Sequence, residues 1–571
     1  MKKRWTLPQP LTTETDRELS EFRPIEREIL LSRGILTRAE ANAYFVENPM
    51  SDSDPFLMAG MDQAVERLSS AIENREPVVI YGDYDADGIT ATSLLYEVIK
   101  KSGGSVGYYI PNRFEEGYGL NSEALAEIKK KGAQLVVTVD CGIRAVEEVE
   151  LARSIGLDVI VTDHHQPGQD LPNAVAIINP KQQHDRYPFA DLAGVGVAYK
   201  FAQAFLQTLG EGEPVDSLDL LAIGTVADLS PLIGENRDLV RRGLERLNQT
   251  ERVGLRALAD VSGYKIGNIS ANSIGFGLAP RLNAVGRLEI ADPAFRLLTT
   301  TDENEVRGIA RHLDDVNRER RRLTQRVLEK ARSLSIGEGS IPFLIAAVDP
   351  SFNEGIVGLV ASRLVDEFYR PSIVATYGEH STRASARSIP EFHITKALEN
   401  CDDLLERYGG HAVAAGFSLR NENLDAFLDR LGKIAEGELS DLDLSPILDV
   451  DAKVQLSDLD WALIDFTERM EPCGYGNRPP IFATEDVSIV NKRSVGSDRR
   501  HLKLTVRDEQ RMFEAIAFRQ GHLYETLPQR VDLAFHFERN DYRGVSSLQL
   551  NILDIREAGS FRDPKLTTWG R

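Results

Sequence analysis

The amino-acid sequence predicts a multidomain α/β protein with two α/β domains and a C-terminal β-barrel. Three observations support this fold class. The chain has 571 residues, which suggests three or four domains at about 150 residues each. Short apolar runs alternate with helical stretches between residues 60 and 250, and a second such unit follows at 341–435. From residue 471 onward, short alternating runs predict a small barrel or sandwich.

The first α/β region is predicted to hold a parallel sheet covered by helices on both faces, because its apolar runs are continuous and rich in β-branched residues. Its predicted strands are 78–81, 107–110, 135–139, 159–162 and 174–178. The predicted helices between them are 90–100, 122–130 and 145–155. In such sheets, ligands bind at the carboxyl ends of the strands.

A charged stretch at 303–333 has nine Lys/Arg and six Asp/Glu, and its length predicts a helix that connects two domains. The predicted organisation is an N-terminal helical extension at 1–55, a first α/β domain at 56–302, the connecting helix at 303–335, a second α/β domain at 336–440, an acidic linker at 441–470, a barrel at 471–560 and a tail at 561–571.

The composition argues against several classes of protein. The formal net charge of −21 argues against a uniformly basic nucleic-acid coat protein. The acidity is uneven, since 421–470 holds thirteen acidic and four basic residues, whereas 471–571 holds fourteen acidic and sixteen basic residues. The three cysteines are far apart, which argues against disulfides and a thiolate zinc site. We see no signal peptide and no apolar run near the ~20 residues that span a bilayer. We therefore expect a soluble, cytoplasmic protein.

The segment VVIYGDYDADGIT places Asp83, Asp85 and Asp87 at alternate positions after a predicted strand. An EF-hand loop opens in the same way, but its twelfth position needs a bidentate Glu and is Leu94 here. Crowded carboxylates repel one another unless a cation neutralises them. The motif alone leaves a solvated acidic turn open as the alternative to a metal site.

Two later predicted strands end in further candidate ligands. LVVTVDCG ends in Asp140, and DVIVTDHH ends in Asp163, His164 and His165, while LLAIGTVADLSPL adds Asp228 after an apolar segment. We expect these groups to converge on one edge of the sheet. Carboxylates with imidazoles suit Mn²⁺. A carboxylate shared by two metals about 3.5–4 Å apart is typical of a phosphoester hydrolysis site.

These motifs resemble those of the DHH phosphoesterase family. They are DYDADG, VDCG, DHH and GTVADLSPL, and IPNRFEEGYGL and PRLNAVGRL resemble segments of the single-stranded-DNA exonucleases of that family. GIVGLVASRL, SARSI and GGHAVAAG are similar to the DHH-associated domain. The resemblance covers roughly 55–555. It implies a DHH catalytic domain at 56–302, a DHH-associated domain at 336–440 and an oligonucleotide-binding (OB) fold at 471–560.

The resemblance implies two divalent metal ions, with Mn²⁺ preferred and Mg²⁺ possible. Asp140 is the expected bridging ligand, His164 a ligand, and His165 a contact to the scissile phosphate or leaving group, and these three are the expected catalytic residues. Tyr81 stands where many family members have a His, which leaves the ligands of the first metal open. Motif matching gives the metal set Asp83, Asp85, Asp87, Asp140, His164 and Asp228.

Phosphate contacts are also implied, because Arg binds phosphate in a bidentate manner. For isolated arginines, surface ion pairs are the alternative. A glycine turn at Gly409 and Gly410 is expected to cradle a terminal phosphate, although it can also be a plain turn. Such a pocket facing the metals would explain degradation from the 5′ end. The candidates are Asn112, Arg113, Tyr118, Arg281, Asn283, Arg287, Ser385, Arg387, Gly409, Gly410 and His411.

The predicted barrel carries basic residues interleaved with aromatic ones, a pattern that suits single-stranded nucleic acid. The basic residues are Lys492, Arg493, Arg499, Arg500 and Lys503, and Phe482, Phe513 and Phe518 are near them in sequence. The alternative is core aromatics beside a solvated basic face.

We therefore expect metal-dependent 5′-to-3′ hydrolysis of single-stranded DNA to 5′-mononucleotides, in DNA repair and recombination. One alternative is a DHH phosphodiesterase for short oligoribonucleotides or cyclic dinucleotides, which usually lacks the barrel and the connecting helix. The other is a non-catalytic single-strand-binding scaffold, in which degenerate metal motifs are expected. The resemblance also suggests a single-strand-binding protein and a helicase as partners. We expect a monomer without a membrane partner.

Overall fold

The structure is a computed structural model that describes residues 3–45, 53–337, 341–496, 498–542 and 544–560. The chain divides into two compact units. The larger unit is Pro49–Leu444 with Gly474–Gly476, and the smaller one combines Met1–Asn48, Ser445–Cys473 and Asn477–Arg571. The predicted tail at 561–571 lies outside the described residues.

The N-terminal segment of the smaller unit is mostly helical, with one short strand before three helices. Its elements are β1 (Arg4–Thr6), α1 (Thr13–Glu18), α2 (Pro24–Leu31) and α3 (Arg38–Phe45).

A five-stranded parallel sheet organises the first part of the larger unit, with the strand order β3-β2-β4-β5-β6. Its elements are α4 (Met61–Glu73), β2 (Val78–Gly82), α5 (Ala86–Lys101), β3 (Val106–Tyr109), α6 (Ser122–Lys130), β4 (Leu135–Val139), α7 (Val146–Ser154), β5 (Asp158–Thr162), β6 (Ala176–Ile178) and α8 (Gly194–Thr208). Every residue of β4 is buried. The predicted parallel sheet is confirmed.

A helical region follows and ends in the predicted connecting helix. Its elements are α9 (Leu218–Ala227), α10 (Gly234–Leu247), α11 (Val253–Ser262), α12 (Ala271–Ser273), a π-helix (Ile274–Leu278), α13 (Ala279–Leu288), α14 (Asp292–Thr299) and α15 (Glu303–Ser335). Helix α15 has 33 residues and buries an apolar stripe that includes Val306, Leu313 and Leu328. No helix within the described ranges is both long and apolar enough to cross a membrane.

The second α/β region has a mixed sheet of order β10-β11-β9-β8-β7, in which only β7 and β8 pair in parallel. Its elements are β7 (Ile345–Val348), α16 (Glu354–Phe368), β8 (Ser372–Tyr377), β9 (Ser381–Arg387), α17 (Ile394–Glu399), β10 (Arg407–His411), β11 (Ala414–Arg420) and α18 (Leu424–Leu439).

The predicted glycine turn is wrong, because Gly409, Gly410 and His411 lie in the edge strand β10. The turn comes later, at Ala412 and Val413. Gly410 has φ +151°, and a Cβ there would lie 2.3 Å from the carbonyl oxygen of Ala414. The glycine therefore permits close strand pairing rather than a turn.

The smaller unit closes with a five-stranded barrel, which confirms the predicted OB-type domain. Strands β14, β15, β16, β18 and β17 pair in that order, and β17 pairs back to β14. The C-terminal elements are β12 (Ile447–Asp449), β13 (Ala452–Lys453), α19 (Trp461–Glu468), β14 (Phe482–Val495), β15 (His501–Arg507), β16 (Met512–Ala517), β17 (Arg530–Tyr542) and β18 (Val545–Glu557).

Most of the segment predicted as an acidic linker, from Ser445 to Met470, is folded into this smaller unit, whereas 441–444 belongs to the larger one. Leu463 and Phe466 share a core with Ile29 and Leu30 of α2. Asp451 is buried, accepts a hydrogen bond from the N–H of Ile481 at 2.7 Å and pairs with Arg33 at 3.0 Å. Charge counting overlooked the apolar residues that alternate with the acidic ones. The other predicted domain boundaries stay predictions.

Candidate active site

The predicted acidic residues meet at the carboxyl edge of the parallel sheet. Asp83 follows β2, Asp140 follows β4 and His164 follows β5, while Asp228 caps the end of α9. Among the residues that the structure describes, three groups have ligand atoms within 4.8 Å of one another. These groups are Asp83, Asp85 and Asp140; Asp87, His164 and Asp228; and Asp140, His164 and His165. Asp140 belongs to two groups, as a shared ligand would.

The aspartate loop continues into helix α5, and Asp87 lies in the first turn of that helix. Asp85 is the N-cap of α5, and its Oδ1 accepts the N–H groups of Asp87 at 2.9 Å and Gly88 at 3.1 Å. The two carboxylate oxygens of Asp87 accept the N–H groups of Gly194 at 2.7 Å and Val195 at 2.8 Å. The start of α8 therefore fixes the orientation of Asp87.

Asp140 is held in a strained backbone conformation, with φ +61°. Helix α8 approaches it closely, because a Cβ at Gly194 would lie 2.8 Å from Asp140 Oδ1. The glycine leaves room for the carboxylate. Backbone strain of this kind is typical of functional sites.

His164 is buried between the candidate ligands. Its Nε2 lies 3.1 Å from Asp140 Oδ1 and 4.0 Å from Asp87 Oδ2, and its Nδ1 lies 4.0 Å from Asp228 Oδ2. Burial lowers the pKa of His164 to about 4, which keeps the imidazole neutral near pH 7. A neutral imidazole has the lone pair that metal ligation needs.

His165 is oriented by Asp163, a strand-end candidate that was not included in the predicted metal set. His165 Nδ1 lies 2.8 Å from Asp163 Oδ1 and 3.1 Å from the Tyr118 hydroxyl. Burial opposes the charged form of His165, but the hydrogen bond to Asp163 and the charges of Asp163, Asp228 and Asp83 together outweigh burial and raise the pKa of His165. The other Asp163 oxygen accepts the N–H of Ile143 at 2.9 Å. Asp163 therefore holds His165 with Nε2 available for a substrate.

The donor set fits divalent cations. Burial raises the pKa of Asp83, Asp87 and Asp140, and neighbouring carboxylates raise it further. Two buried atoms, Asp83 Oδ1 and His164 Nε2, have no hydrogen-bond partner among the described residues. Buried charges without compensation and buried polar atoms without a partner are costly. Oxygen and nitrogen donors together suit Mn²⁺.

A second charged cluster lines a cavity of about 240 Å³ in the same unit. Arg387 Nη1 donates to Ser385 Oγ at 3.0 Å, and Arg287 Nη1 donates to the carbonyl of Gly355 at 3.3 Å. Burial lowers the pKa of Arg287 to about 10, and the nearby charge of Arg113 contributes to this shift. The same two causes, burial first, lower the pKa of Arg387. The predicted residues brought together here are Arg113, Arg287, Ser385 and Arg387.

This cavity has an excess of positive charge. Besides the predicted residues it is lined by Arg383 and Glu354, which pair with each other at 2.9 Å. Arg113, Arg287 and Arg387 are left to face an anion, and arginines bind phosphate well. Sequence reasoning missed Gly416, which lines the cavity and pairs with Ser385 across β11 and β9.

Several predicted phosphate contacts lie elsewhere. Arg281 is buried and pairs with Asp314 at 2.8 Å, and its Nη1 donates to the carbonyl of Gly277 at 2.7 Å. Asn283 Oδ1 accepts the N–H of Ala86 at 2.7 Å. Asn112 Oδ1 accepts the N–H of Phe114 at 3.0 Å. These side chains position backbone rather than line the cavity, and neither Gly409, Gly410 nor His411 lines it.

The basic residues of the barrel are only partly free for a ligand. Lys492 Nζ donates to the Tyr524 carbonyl at 2.7 Å, Arg500 pairs with Asp498, and Lys503 pairs with Glu514 at 3.1 Å. The remaining two, Arg493 and Arg499, are exposed, and Arg493 lies opposite Lys503 in the β14–β15 ladder.

Of the three aromatic residues noted in the barrel sequence, two lie in its core. Phe482 and Phe513 are buried, whereas Phe518 is 54% exposed with its ring centroid 5.4 Å from that of His501. Only Phe518 of these three is placed to stack on a base.

Known proteins match this chain along most of its length. Three family models match it: the DHH family N-terminal domain at 77–225, the DHHA1 domain at 340–437 and the RecJ OB domain at 450–554. The single-stranded-DNA-specific exonuclease RecJ of Escherichia coli (strain K12) is 34% identical over 582 residues, covering 97% of this chain and 100% of that protein. This chain belongs to the RecJ family. RecJ of Bacillus subtilis (strain 168) is 40% identical, covering 97% of this chain and 71% of that protein.

Solved RecJ structures share the fold. RecJ from Thermus thermophilus in complex with Mn²⁺ matches with a TM-score of 0.83 and 30% identity, covering 98% of this chain and 80% of that one. The Mg²⁺ complex of the same protein matches with a TM-score of 0.77 and 28% identity, covering 98% and 79%. RecJ membership confirms the predicted fold class of a DHH domain, a DHH-associated domain and an OB barrel.

Proposed function

We propose that this RecJ-family chain is a metal-dependent exonuclease that hydrolyses single-stranded DNA. The proposal rests on two candidate ligand groups that meet at one sheet edge. One group contains Asp140, the other contains His164, and these two residues also lie together in a third group. The relatives at 34% and 40% identity are named single-stranded-DNA-specific exonucleases, and the two matching structures hold Mn²⁺ or Mg²⁺.

Two divalent ions are the proposed cofactors, with Mn²⁺ preferred because His164 supplies nitrogen. One ion would be held by Asp83, Asp85 and Asp140, and the other by Asp87, His164 and Asp228, with Asp140 shared. When bound, such ions stabilise charge on a reacting phosphoester and lower the pKa of water.

Side chains around the acidic cluster orient the predicted catalytic residues. Asp163 holds His165 so that Nε2 can contact the scissile phosphate or the leaving group. Tyr118 donates to the carbonyl of Asp140 at 3.2 Å and steadies the strained residue. The geometry therefore supports catalytic roles for Asp140, His164 and His165.

The arginine cavity is the proposed binding site for the terminal 5′-phosphate. Arg113, Arg287 and Arg387 provide bidentate donors there, and Ser385 adds a hydroxyl. A terminal phosphate held in this cavity would set the 5′-to-3′ polarity and release 5′-mononucleotides. Arg493, Arg499 and Phe518 are the proposed single-strand contacts of the barrel. The repair role, the cytoplasmic location, the monomeric state, and the single-strand-binding protein and helicase partners stay predictions.

One assay separates the proposed function from its alternatives. Labelled single-stranded DNA, single-stranded RNA, duplex DNA and a cyclic dinucleotide are incubated with Mn²⁺ and either wild type or Asp140→Ala. We expect mononucleotides from single-stranded DNA with wild type only. Preferred cleavage of RNA or of the cyclic dinucleotide would support the phosphodiesterase alternative. Binding without metal-dependent cleavage would support the scaffold.

A further inference from the structure

A fourth strand delivers a residue to the edge that carries the metal-ligand candidates. Strand β6 lies beside β5 in the parallel sheet, so its carboxyl end faces the same side. Asn179 and Lys181 follow β6 in the same way that Asp140 follows β4 and His164 follows β5. Neither the sequence motifs nor the proposed function assigns a role to Lys181.

The backbone at Lys181 is tied to the site. Asn179 is fully buried, and its Nδ2 donates to the carbonyl of His165 at 2.9 Å. The Oδ1 of the same side chain accepts the N–H of Lys181 at 2.8 Å. This Asx-type turn holds Lys181 at a defined distance from the two histidines.

The side chain of Lys181 is half-buried. In the part of the chain that the structure describes, its ammonium has no carboxylate within 4.0 Å. Lys200 and Lys503, by contrast, pair with Glu235 and Glu514. The backbone N–H of Lys181 is bonded to Asn179, whose side chain also bonds the carbonyl of His165, so Lys181 stands beside the strand end that carries both histidines. Lys181 is therefore an uncommitted cation beside the cluster.

The order of the sheet places Lys181 opposite the arginine cavity. Arg113 follows β3 at one end of the strand order β3-β2-β4-β5-β6, and Lys181 follows β6 at the other end. The metal-ligand candidates follow the strands between them. A single strand with its end in the cavity and its scissile phosphate at the cluster continues toward Lys181.

We propose that Lys181 binds the phosphate that follows the scissile one. This inference rests on the proposed function, because it takes the cavity as the site of the terminal phosphate. An ammonium group offers three rotatable N–H donors to the non-bridging oxygens of a phosphate.

Substrate length provides the test. A 5′-phosphorylated dinucleotide has a terminal and a scissile phosphate, whereas a trinucleotide adds the phosphate that Lys181 would contact. We expect Lys181→Ala to lower kcat/KM on the trinucleotide by about 10-fold, mainly through KM, and on the dinucleotide by less than about 2-fold. Lys181→Arg should retain most of the trinucleotide activity. The matched control is Lys130→Ala, an exposed lysine at the end of α6, which should change neither.

Two kinetic results would overturn the proposal. One is unchanged trinucleotide cleavage by Lys181→Ala. The other is an equal loss on both substrates together with tighter Mn²⁺ binding, which would mean that Lys181 only offsets the charge of the carboxylates.

Metal-free binding keeps this proposal separate from the proposed function. Fluorescence anisotropy of a labelled single strand in EDTA requires no turnover. The slope of log Kd against log salt should fall by about 0.7 in Lys181→Ala and stay unchanged in Lys130→Ala. If wild type binds but cleaves nothing, the proposed function fails, while this slope still decides the Lys181 contact. An unchanged slope would contradict the contact.

Discussion

The acidic cluster and the arginine cavity lie in the same unit but carry opposite charge, and burial acts on them in opposite directions. Burial raises the pKa of Asp87 and Asp140 in the cluster and lowers the pKa of Arg287 and Arg387 in the cavity. In both places the charged form is disfavoured until a counter-ion arrives. The cluster therefore requires cations and the cavity requires an anion. A metal-bound single strand with a terminal phosphate satisfies both.

Damage to the acidic cluster alone should abolish cleavage and leave binding in the arginine cavity intact. Asp140→Ala removes the carboxylate common to two ligand groups, and we expect kcat to fall by about 1000-fold or more. Binding of 5′-phosphorylated single strands in EDTA should stay close to wild type. Single-turnover cleavage and anisotropy measure the two effects.

Asp158→Asn is the control for this variant, because that carboxylate is half-exposed and starts β5 at the opposite edge of the sheet. It should cleave like wild type. An Asp140→Ala protein that still cleaves within about 10-fold of wild type would contradict the shared-ligand role.

Cations bound at the acidic cluster should also stabilise the folded protein. The folded-state pKa values of the cluster aspartates lie above the ordinary value of 3.8, so the metal-free folded protein binds protons that the unfolded chain releases. The destabilisation is absent below the unfolded pKa and grows as pH rises through the folded values. Mn²⁺ at about 100 times its Kd should stabilise by about 2.7 kcal/mol per site.

The Mn²⁺-induced rise in Tm should therefore be larger at pH 8 than at pH 5, and smaller in Asp140→Ala than in wild type. Thermal unfolding with and without EDTA measures it. A shift that shrinks as pH rises would contradict the electrostatic description of the cluster.

Damage to the arginine cavity should weaken recognition of the 5′-phosphate and leave the cleavage chemistry intact. Arg387→Ala removes a guanidinium that lines the cavity beside Ser385. We expect the preference for 5′-phosphate over 5′-hydroxyl ends to fall by about 10-fold, because charge-assisted hydrogen bonds are lost. Cleavage of 5′-hydroxyl strands should change little. The ratio of kcat/KM for the two substrates measures the preference.

Arg430→Ala removes an exposed arginine that pairs with Asp403, and it should leave the ratio unchanged. An unaltered kcat/KM ratio in Arg387→Ala would mean that the cavity does not bind the 5′-phosphate.

The smallest expected effect lies in the barrel. Phe518→Ala should weaken binding of long single strands by about 5-fold through lost stacking, and Phe518→Trp should restore it. Strands of two or three nucleotides should be cleaved as by wild type. Equal loss with Trp and Ala would mean that Phe518 does not stack on a base.

The two clusters also differ in how well the sequence predicted them. Each aspartate and histidine of the cluster follows a buried strand or helix end, and parallel strands bring their carboxyl ends together whatever their separation in sequence. Strand β4 was predicted residue by residue because it is a continuous buried run. Helix α6 was predicted equally well, since Asn121 caps it by accepting the N–H groups of Glu123 and Ala124.

The cavity draws on segments from two domains, and no local pattern records which side chains meet there. Arg281 and Arg287 lie in one short motif, yet Arg281 pairs with Asp314, 33 residues away, and only Arg287 lines the cavity. Gly410 and Gly416 also share one motif, but the strand register places only Gly416 beside Ser385. Lys181 followed a strand, but a lone lysine has no distinguishing sequence signal.

We expect one single strand to span the acidic cluster and the arginine cavity, with cations at the cluster and its terminal phosphate in the cavity. Anomalous diffraction from crystals grown with Mn²⁺ and a 5′-phosphorylated, non-hydrolysable single strand tests this arrangement most directly. We predict two Mn²⁺ peaks, one ligated by Asp83, Asp85 and Asp140 and the other by Asp87, His164 and Asp228, with the 5′-phosphate against Arg113, Arg287 and Arg387. A terminal phosphate outside the cavity, or a missing Mn²⁺ peak at either ligand group, would contradict this arrangement.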